Sequence, residues 1–306
     1  AVGSDTTSSF TLRATAGSKT ADRAFTITIR AIQSAKSIFN YSSSALQTFT
    51  IPSGLTSVNF AMWGAGSGRD GSNGMEGTGG FGSGTLNTSG LSTLYLAVGQ
   101  SGTGALGRQA GAGLSGIFSA NSVTQGNAIA ICGGGGGSSE SAGAGAGGGG
   151  GGGLNQSGTN GTAGRQGSGA TGGSVSGGGA GAGSTGGSAG QAGSALQGGG
   201  APGYNTTWTT RAYYGGGIPH TSNNGHPGGC GGAGYYGGGG GSDYYGTGGG
   251  GGSGYADTSL VSNIVAIQGN ADSNNNPTNS SHADWDGEIS RGTSAGHGRI
   301  VISYEL

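Results

Sequence analysis

Residues 131–140 read ICGGGGGSSE and residues 228–255 read GGCGGAGYYGGGGGSDYYGTGGGGGSGY; between Gly133 and Gly254 lie 55 of the chain's 82 glycines. How this block is read decides the fold. Ordering a glycine backbone costs about 1–2 kcal/mol or slightly more, beyond any other residue. The block is therefore either never ordered or held by something other than side-chain packing. Composition alone favours a flexible Gly/Ser linker. The alternative is a stack of extended helices with three residues per turn and no internal hydrogen bonds. Lacking Cβ atoms, such threads can approach until each N–H reaches a carbonyl of its neighbour, so the backbone is satisfied between threads.

The flanks favour the stack. Residues 48–68, TFTIPSGLTSVNFAMWGAGSG, read as strand, turn at Pro52-Ser53-Gly54, strand, with Val58, Phe60 and Met62 alternating with Asn59, Ala61 and Trp63. Residues 84–104 repeat the pattern, placing Leu94, Leu96 and Val98 on one face. NAIAIC (127–132) is a short strand running into the glycines, and SLVSNIVAIQG (259–269) and GHGRIVISYEL (296–306) supply two more. Strands on both sides make residues 133–255 an insertion into one β-sandwich, built from 48–132 and 256–306.

The first 32 residues form a separate unit. SSFTLRAT, a polar turn AGSKTADR and AFTITIRAI read as two strands, with Phe25, Ile27 and Ile29 on one face and Thr26, Thr28 and Arg30 on the other. The pair resembles the last two strands of Ig-like or cadherin-like modules. Because a two-stranded hairpin is only marginally stable alone, residues 1–32 are expected to pack on another subunit or on upstream strands. Residues 33–47 read as a connector.

Composition excludes several functions. Net charge is −1, with 31% hydrophobic and 8% charged residues, so neither a basic stripe for nucleic acid nor an apolar run of about 20 residues for membrane insertion is present. No signal peptide is visible. GxGxxG matches carry no information in this background, and no P-loop, nucleophile elbow or paired-carboxylate constellation appears, so neither an enzyme nor a cofactor is expected.

A few residues stand out. Asp284, Asp286 and Glu288 alternate before a turn in HADWDGEIS, a weak calcium candidate against a plain acidic turn. Cys132 and Cys230 are a disulfide in an oxidising setting or free buried thiols otherwise, with free thiols favoured. The paired tyrosines 235/236 and 244/245 lie between glycine runs, where they would seal the stack against the sandwich. The glycine-poor excursion from Tyr204 to Pro227 is too irregular for a thread. It offers Trp208, Tyr213 and Tyr214 as rigid rings, Asn205, Asn223 and Asn224 as directional hydrogen bonders, and Arg211 as a cation. These seven residues form the candidate receptor-binding site, with a mere cap on the stack as the alternative.

The order TIPSGLTSVNFAMWGAGSGRDG, STLYLAVGQSG, ICGGGGGSS, the doubled YYGGGGGS and GGGGGSGY, DGEIS and GHGRIVISYEL carries a resemblance. It is similar to the glycine-rich domain of the anaplastic lymphoma kinase and leukocyte tyrosine kinase ectodomains, which also occurs in bacterial and phage proteins. The resemblance spans residues 48–306 and implies an all-β fold: a tumour-necrosis-factor-like sandwich carrying an inserted bundle of polyglycine II helices. In architecture and composition the chain also resembles the glycine-rich adhesins of T-even-like long tail fibres. The expected function is a non-enzymatic tail-fibre or tail-appendage component, in the virion tail or extracellular, that contacts a host-surface glycan or outer-membrane protein and assembles with itself or other subunits. The alternatives are a structural subunit without a receptor and a ligand-binding receptor ectodomain.

Overall fold

The computed structural model describes residues 5–29, 34–42, 46–67, 76–102, 110–139, 146–164, 167–183, 188–201, 228–242, 246–271, 278–287, 289 and 296–306. Among them the chain is all-β, in three antiparallel sheets. In chain order the strands are β1 (Thr6–Ala16), β2 (Lys19–Ile29), β3 (Ser34–Asn40), β4 (Gln47–Thr50), β5 (Ser57–Trp63), β6 (Phe81–Asn87), β7 (Thr93–Ala97), β8 (Ser115–Phe118), β9 (Ala128–Cys132), β10 (Tyr255–Ala256), β11 (Val261–Ile267) and β12 (Arg299–Glu305). One five-stranded sheet runs β10-β9-β8-β7-β4, the other β11-β6-β5-β12-β3, and β1-β2 stand alone.

Period-two alternation explains the sandwich. Val58, Phe60 and Met62 of β5 and Ile300 and Ile302 of β12 meet Phe49, Leu94, Leu96, Val98, Ile117 and Ile129 of the facing sheet in one buried core. Each large side chain so buried is worth about 1.5–3 kcal/mol. The opposite face of β5 is buried too: Ala61 and Trp63 join Phe81, Val301 and Ile289 in a second cluster against Trp285. The segment 278–289 makes this cover. Trp63 Nε1 donates to the Thr278 carbonyl at 3.0 Å, and Thr278 Oγ1 donates to the Gly79 carbonyl at 2.7 Å.

Two expectations are corrected. Residues 34–40, expected in the connector, form the edge strand β3, paired with β12 from Arg299↔Asn40 to Glu305↔Ser34. Phe39 packs on the core and Lys36 faces out, but the inward positions Ala35 and Ser37 are too small to signal a strand locally. The polar turn expected at 16–23 shrinks to Gly17 and Ser18, with Gly17 at φ +60, as a two-residue hairpin turn requires. Lys19, Asp22 and Arg23 instead lie on β2, where Asp22 accepts two hydrogen bonds from the Arg13 guanidinium at 2.6 and 2.7 Å.

Between β9 and β10 the glycine block leaves the sheets and forms threads hydrogen-bonded to one another. Its central thread is Gly248–Gly254. Seven consecutive amides there donate in strict rotation to three neighbours: 248, 251 and 254 to the carbonyls of 162, 159 and 156; 249 and 252 to 137 and 134; 250 and 253 to 239 and 236. Its carbonyls accept in pairs from amides 170 and 173, 149 and 152, and 232 and 235, so six segments surround the thread. Along the thread, donors to the same neighbour thus recur every third residue. Leu154 leaves the block to plug the sandwich core, and Gly82 of β6 makes room for it, since a Cβ there would lie 2.4 Å from Leu154 Cγ.

Candidate functional site

The seven residues of the sequence-derived site, Asn205, Trp208, Arg211, Tyr213, Tyr214, Asn223 and Asn224, lie outside the described residues, within 202–227. What is defined is their base. Ala201 and Cys230, just outside the two ends of the excursion, are fully buried, and the Ala201 amide donates to Cys230 Sγ at 3.4 Å. Gly199 donates to the Gly238 carbonyl and Gly229 to the Thr247 carbonyl. The residues that flank the excursion are thus pinned in the lattice next to each other.

Cys230 and Cys132 are free thiols with no exposed surface. Burial pushes the Cys230 thiol up to about 12, against hydrogen bonds from the Ala201 and Gly111 amides that pull the other way. Burial likewise raises the Cys132 thiol, whose S–H donates to the Met62 carbonyl at 3.7 Å. Thiols held protonated and out of solvent are not nucleophiles. Their role is packing, Cys132 within the sandwich core and Cys230 within the lattice.

Two residues of the acidic run are engaged by cations. Asp284 accepts from Lys36 Nζ at 2.7 Å, and Asp286 accepts from Arg299 Nη2. Arg299 also donates through Nε to Asn40 Oδ1 and through Nη1 to the Asp284 carbonyl, both at 2.8 Å. Two of the three calcium candidates therefore latch the covering segment to β3 and β12, while Glu288 lies outside the described residues. Among the described residues no three His, Cys, Asp or Glu side chains converge on a metal-sized space. Sequence reasoning missed Arg299; its only local signal is a lone cation opening an apolar strand.

Of the paired tyrosines, 244 and 245 lie outside the described residues. Tyr235 stacks on Tyr255 with ring centroids 4.1 Å apart, and Tyr236 meets Tyr235 edge-on at 5.3 Å. Tyr235, Tyr255, Tyr95 and Leu196 pack half-buried on a cluster of Ala97, Leu114, Phe118, Ile131 and Ala233. They close the seam between the glycine threads and the outer face of the β10-β9-β8-β7-β4 sheet. Gln125 Nε2 ties this seam to the sandwich by donating to the Tyr235 carbonyl at 2.6 Å. Burial raises both tyrosine hydroxyls, helped in Tyr255 by Asp257. What the seam presents is aromatic rings and hydrogen-bonding groups. No protein-family model matches the chain, and no curated protein is similar to it.

Proposed function

We propose that the chain is a non-enzymatic component of a phage tail fibre or tail appendage, a tumour-necrosis-factor-like sandwich stiffened by a bundle of polyglycine II helices. In this reading it displays the Tyr204–Pro227 excursion to the host surface. The observation that carries it is the rotation of hydrogen bonds around Gly248–Gly254, which makes a stiff base for the residues that flank the excursion. Rigid presentation favours binding, because each mobile side chain ordered on contact costs roughly 0.5–1.5 kcal/mol. Trp208 and Tyr213 act as the anchors, with Asn205, Asn223, Asn224, Arg211 and Tyr214 supplying polar and stacking contacts to a glycan or outer-membrane protein.

The test is competition: the purified chain blocks adsorption of the virion to its host, and the Trp208→Ala, Tyr213→Ala double variant does not. Unchanged blocking by a folded double variant removes the site from this excursion. Absence of blocking by the unaltered chain favours the second reading, a structural subunit, which the exposed apolar ribbon β1-β2 supports.

A further inference from the structure

Every residue of β1 and β2 is exposed, yet the ribbon has two unlike faces. The register places Phe10 opposite Phe25, Ser8 opposite Ile27, Thr6 opposite Ile29, Leu12 opposite Arg23 and Ala14 opposite Ala21, all on one side. The Phe10 and Phe25 rings stack at 5.6 Å, and the Arg23 guanidinium lies 5.6 Å over the Phe25 ring. On the other side Thr7 bonds Thr28, Ser9 bonds Thr26 and Arg13 pairs with Asp22. Phe10, Leu12, Phe25, Ile27 and Ile29 remain 37–68% exposed. Isolated two-stranded ribbons are marginal, and three or more strands with a covered apolar face are needed for stability.

We propose that this face closes on the same face of a second copy of the chain, the two ribbons running antiparallel about a twofold axis through the Phe10–Phe25 pair. This names the partner that the assembly part of the reading above requires, and rests on it. Size and charge choose the arrangement. Rotation about the phenylalanines sets bulky Ile29 of one copy on the Ala14–Ala21 row of the other, and Ile27 on the Leu12–Arg23 row. It also lays each Arg23 beside the other copy's Ser8 hydroxyl. A parallel stack would instead crowd both Arg23 guanidinia into one row and both Lys19 into another with no carboxylate on that face, and set alanine on alanine with a void between. The nine residues per strand that overlap, at ~3.3 Å each by two strands at ~4.8 Å, give a footprint of roughly 290 Å² per copy. That is well below the ~800 Å² per partner of a standard interface, so the dimer is weak and concentration-dependent until an assembly holds it.

The experiment uses the full chain and a short bis-maleimide, whose arm suits the ~10 Å spacing of stacked sheets. Cys132 and Cys230 are buried and do not compete. Phe10→Cys is expected to cross-link to itself, and a mixture of Ile29→Cys and Ala21→Cys chains to cross-link to each other. Ile29→Cys alone is not, since two copies of that position lie about 26 Å apart, four residues from the axis on each side. Sedimentation velocity is expected to give a monomer–dimer equilibrium that Ile27→Asp abolishes. A monomer at every concentration without cross-linking at position 10, self-cross-linking of Ile29→Cys, or a dimer that survives Ile27→Asp would each overturn the proposal. A monomer that still blocks adsorption would overturn it while leaving host attachment standing; a dimer that fails to block does the reverse.

Discussion

Gly251 and Gly150 belong to neighbouring threads packed so closely that a Cβ on Gly251 would lie 2.0 Å from the Gly150 carbonyl oxygen. The obstacle is backbone, which cannot swing aside as a side-chain tip can. The same holds along the central thread: a Cβ on Gly250 would lie 2.1 Å from the Thr171 carbonyl oxygen, and one on Gly252 1.9 Å from that of Ala233. Glycine is used here for its absent side chain. The interthread hydrogen bonds that this permits offset the entropy of ordering it.

Gly251→Ala and Gly150→Val should therefore each destabilise the chain by about 3 kcal/mol or more, the upper end of overpacking costs, since the clash cannot relax into a void. At Gly150 the added Cβ would lie 2.0 Å from the Gly269 carbonyl oxygen. Gly126 is the control. A Cβ there would meet nothing within 4 Å, so Gly126→Ala should be neutral or stabilise by about 0.4–1 kcal/mol. Urea unfolding of the three variants separates the outcomes; equal midpoints would mean the threads are not packed.

The latch on the covering segment gives a second prediction. Arg299 is 9% exposed, and its guanidinium holds Asn40, the Asp284 carbonyl and Asp286 at once. Arg299→Met should lower stability by about 2 kcal/mol, within the range for hydrogen bonds to charged groups. It should also expose Trp63 and Trp285, read as a red shift in tryptophan emission and faster quenching. Asp286→Asn, at a more exposed position, should cost about 1 kcal/mol or less. An Arg299→Met variant with unchanged emission would mean that packing alone holds the segment.

Stability should have a plateau bounded on both sides. Burial lowers the pKa of His297, whose Nδ1 accepts the Ser101 amide at 3.0 Å and whose ring stacks on Tyr41 at 4.6 Å. Its folded pKa lies below the unfolded value of about 6.5, so its contribution is complete above that pH and is lost as pH falls. Cys132, Cys230, Tyr235 and Tyr255 shift upward, so their contribution is complete below roughly pH 8.5 and is lost as pH rises. Urea midpoints should be flat between those limits and fall outside them. His297→Gln, which can still accept the Ser101 amide, should remove most of the acid-side change that begins near pH 6.5.

Thiol reactivity separates the two states of the cysteines. The native chain should give no reaction with an aromatic disulfide reagent near neutral pH, and two thiols per chain after denaturation without reductant. Zero thiols after denaturation would mean a disulfide.

The sandwich was legible wherever a strand carried large residues at alternate positions: Val58, Phe60 and Met62, or Leu94, Leu96 and Val98, declare an inner face by themselves. Strand β3 was not, because Ala35 and Ser37 are small and its pairing with β12 joins residues more than 250 positions apart. Strand β8 was missed for a related reason: Gly116 has no side chain to signal a face, and the Phe118 ring fills the space a Cβ there would take. The second face of β5 was also hidden, since nothing local says that Ala61 and Trp63 are covered by residues near 285. Of the seam, Tyr235 and Tyr236 were legible as rings between glycine runs, while Tyr95 and Tyr255 were not. The engagement of Asp284 and Asp286 by Lys36 and Arg299 was not, because ion pairs across a sheet leave no mark on the sequence between them.

The described glycine threads form an ordered lattice, with one hydrogen-bonded amide after another along Gly248–Gly254. Native-state hydrogen exchange, resolved to single residues over this thread, tests it most directly. The lattice predicts protection of all seven amides, opening only with the free energy of global unfolding, as buried core amides do. Exchange of these amides at unfolded-peptide rates, while those of β5 and β12 stay protected, would contradict it.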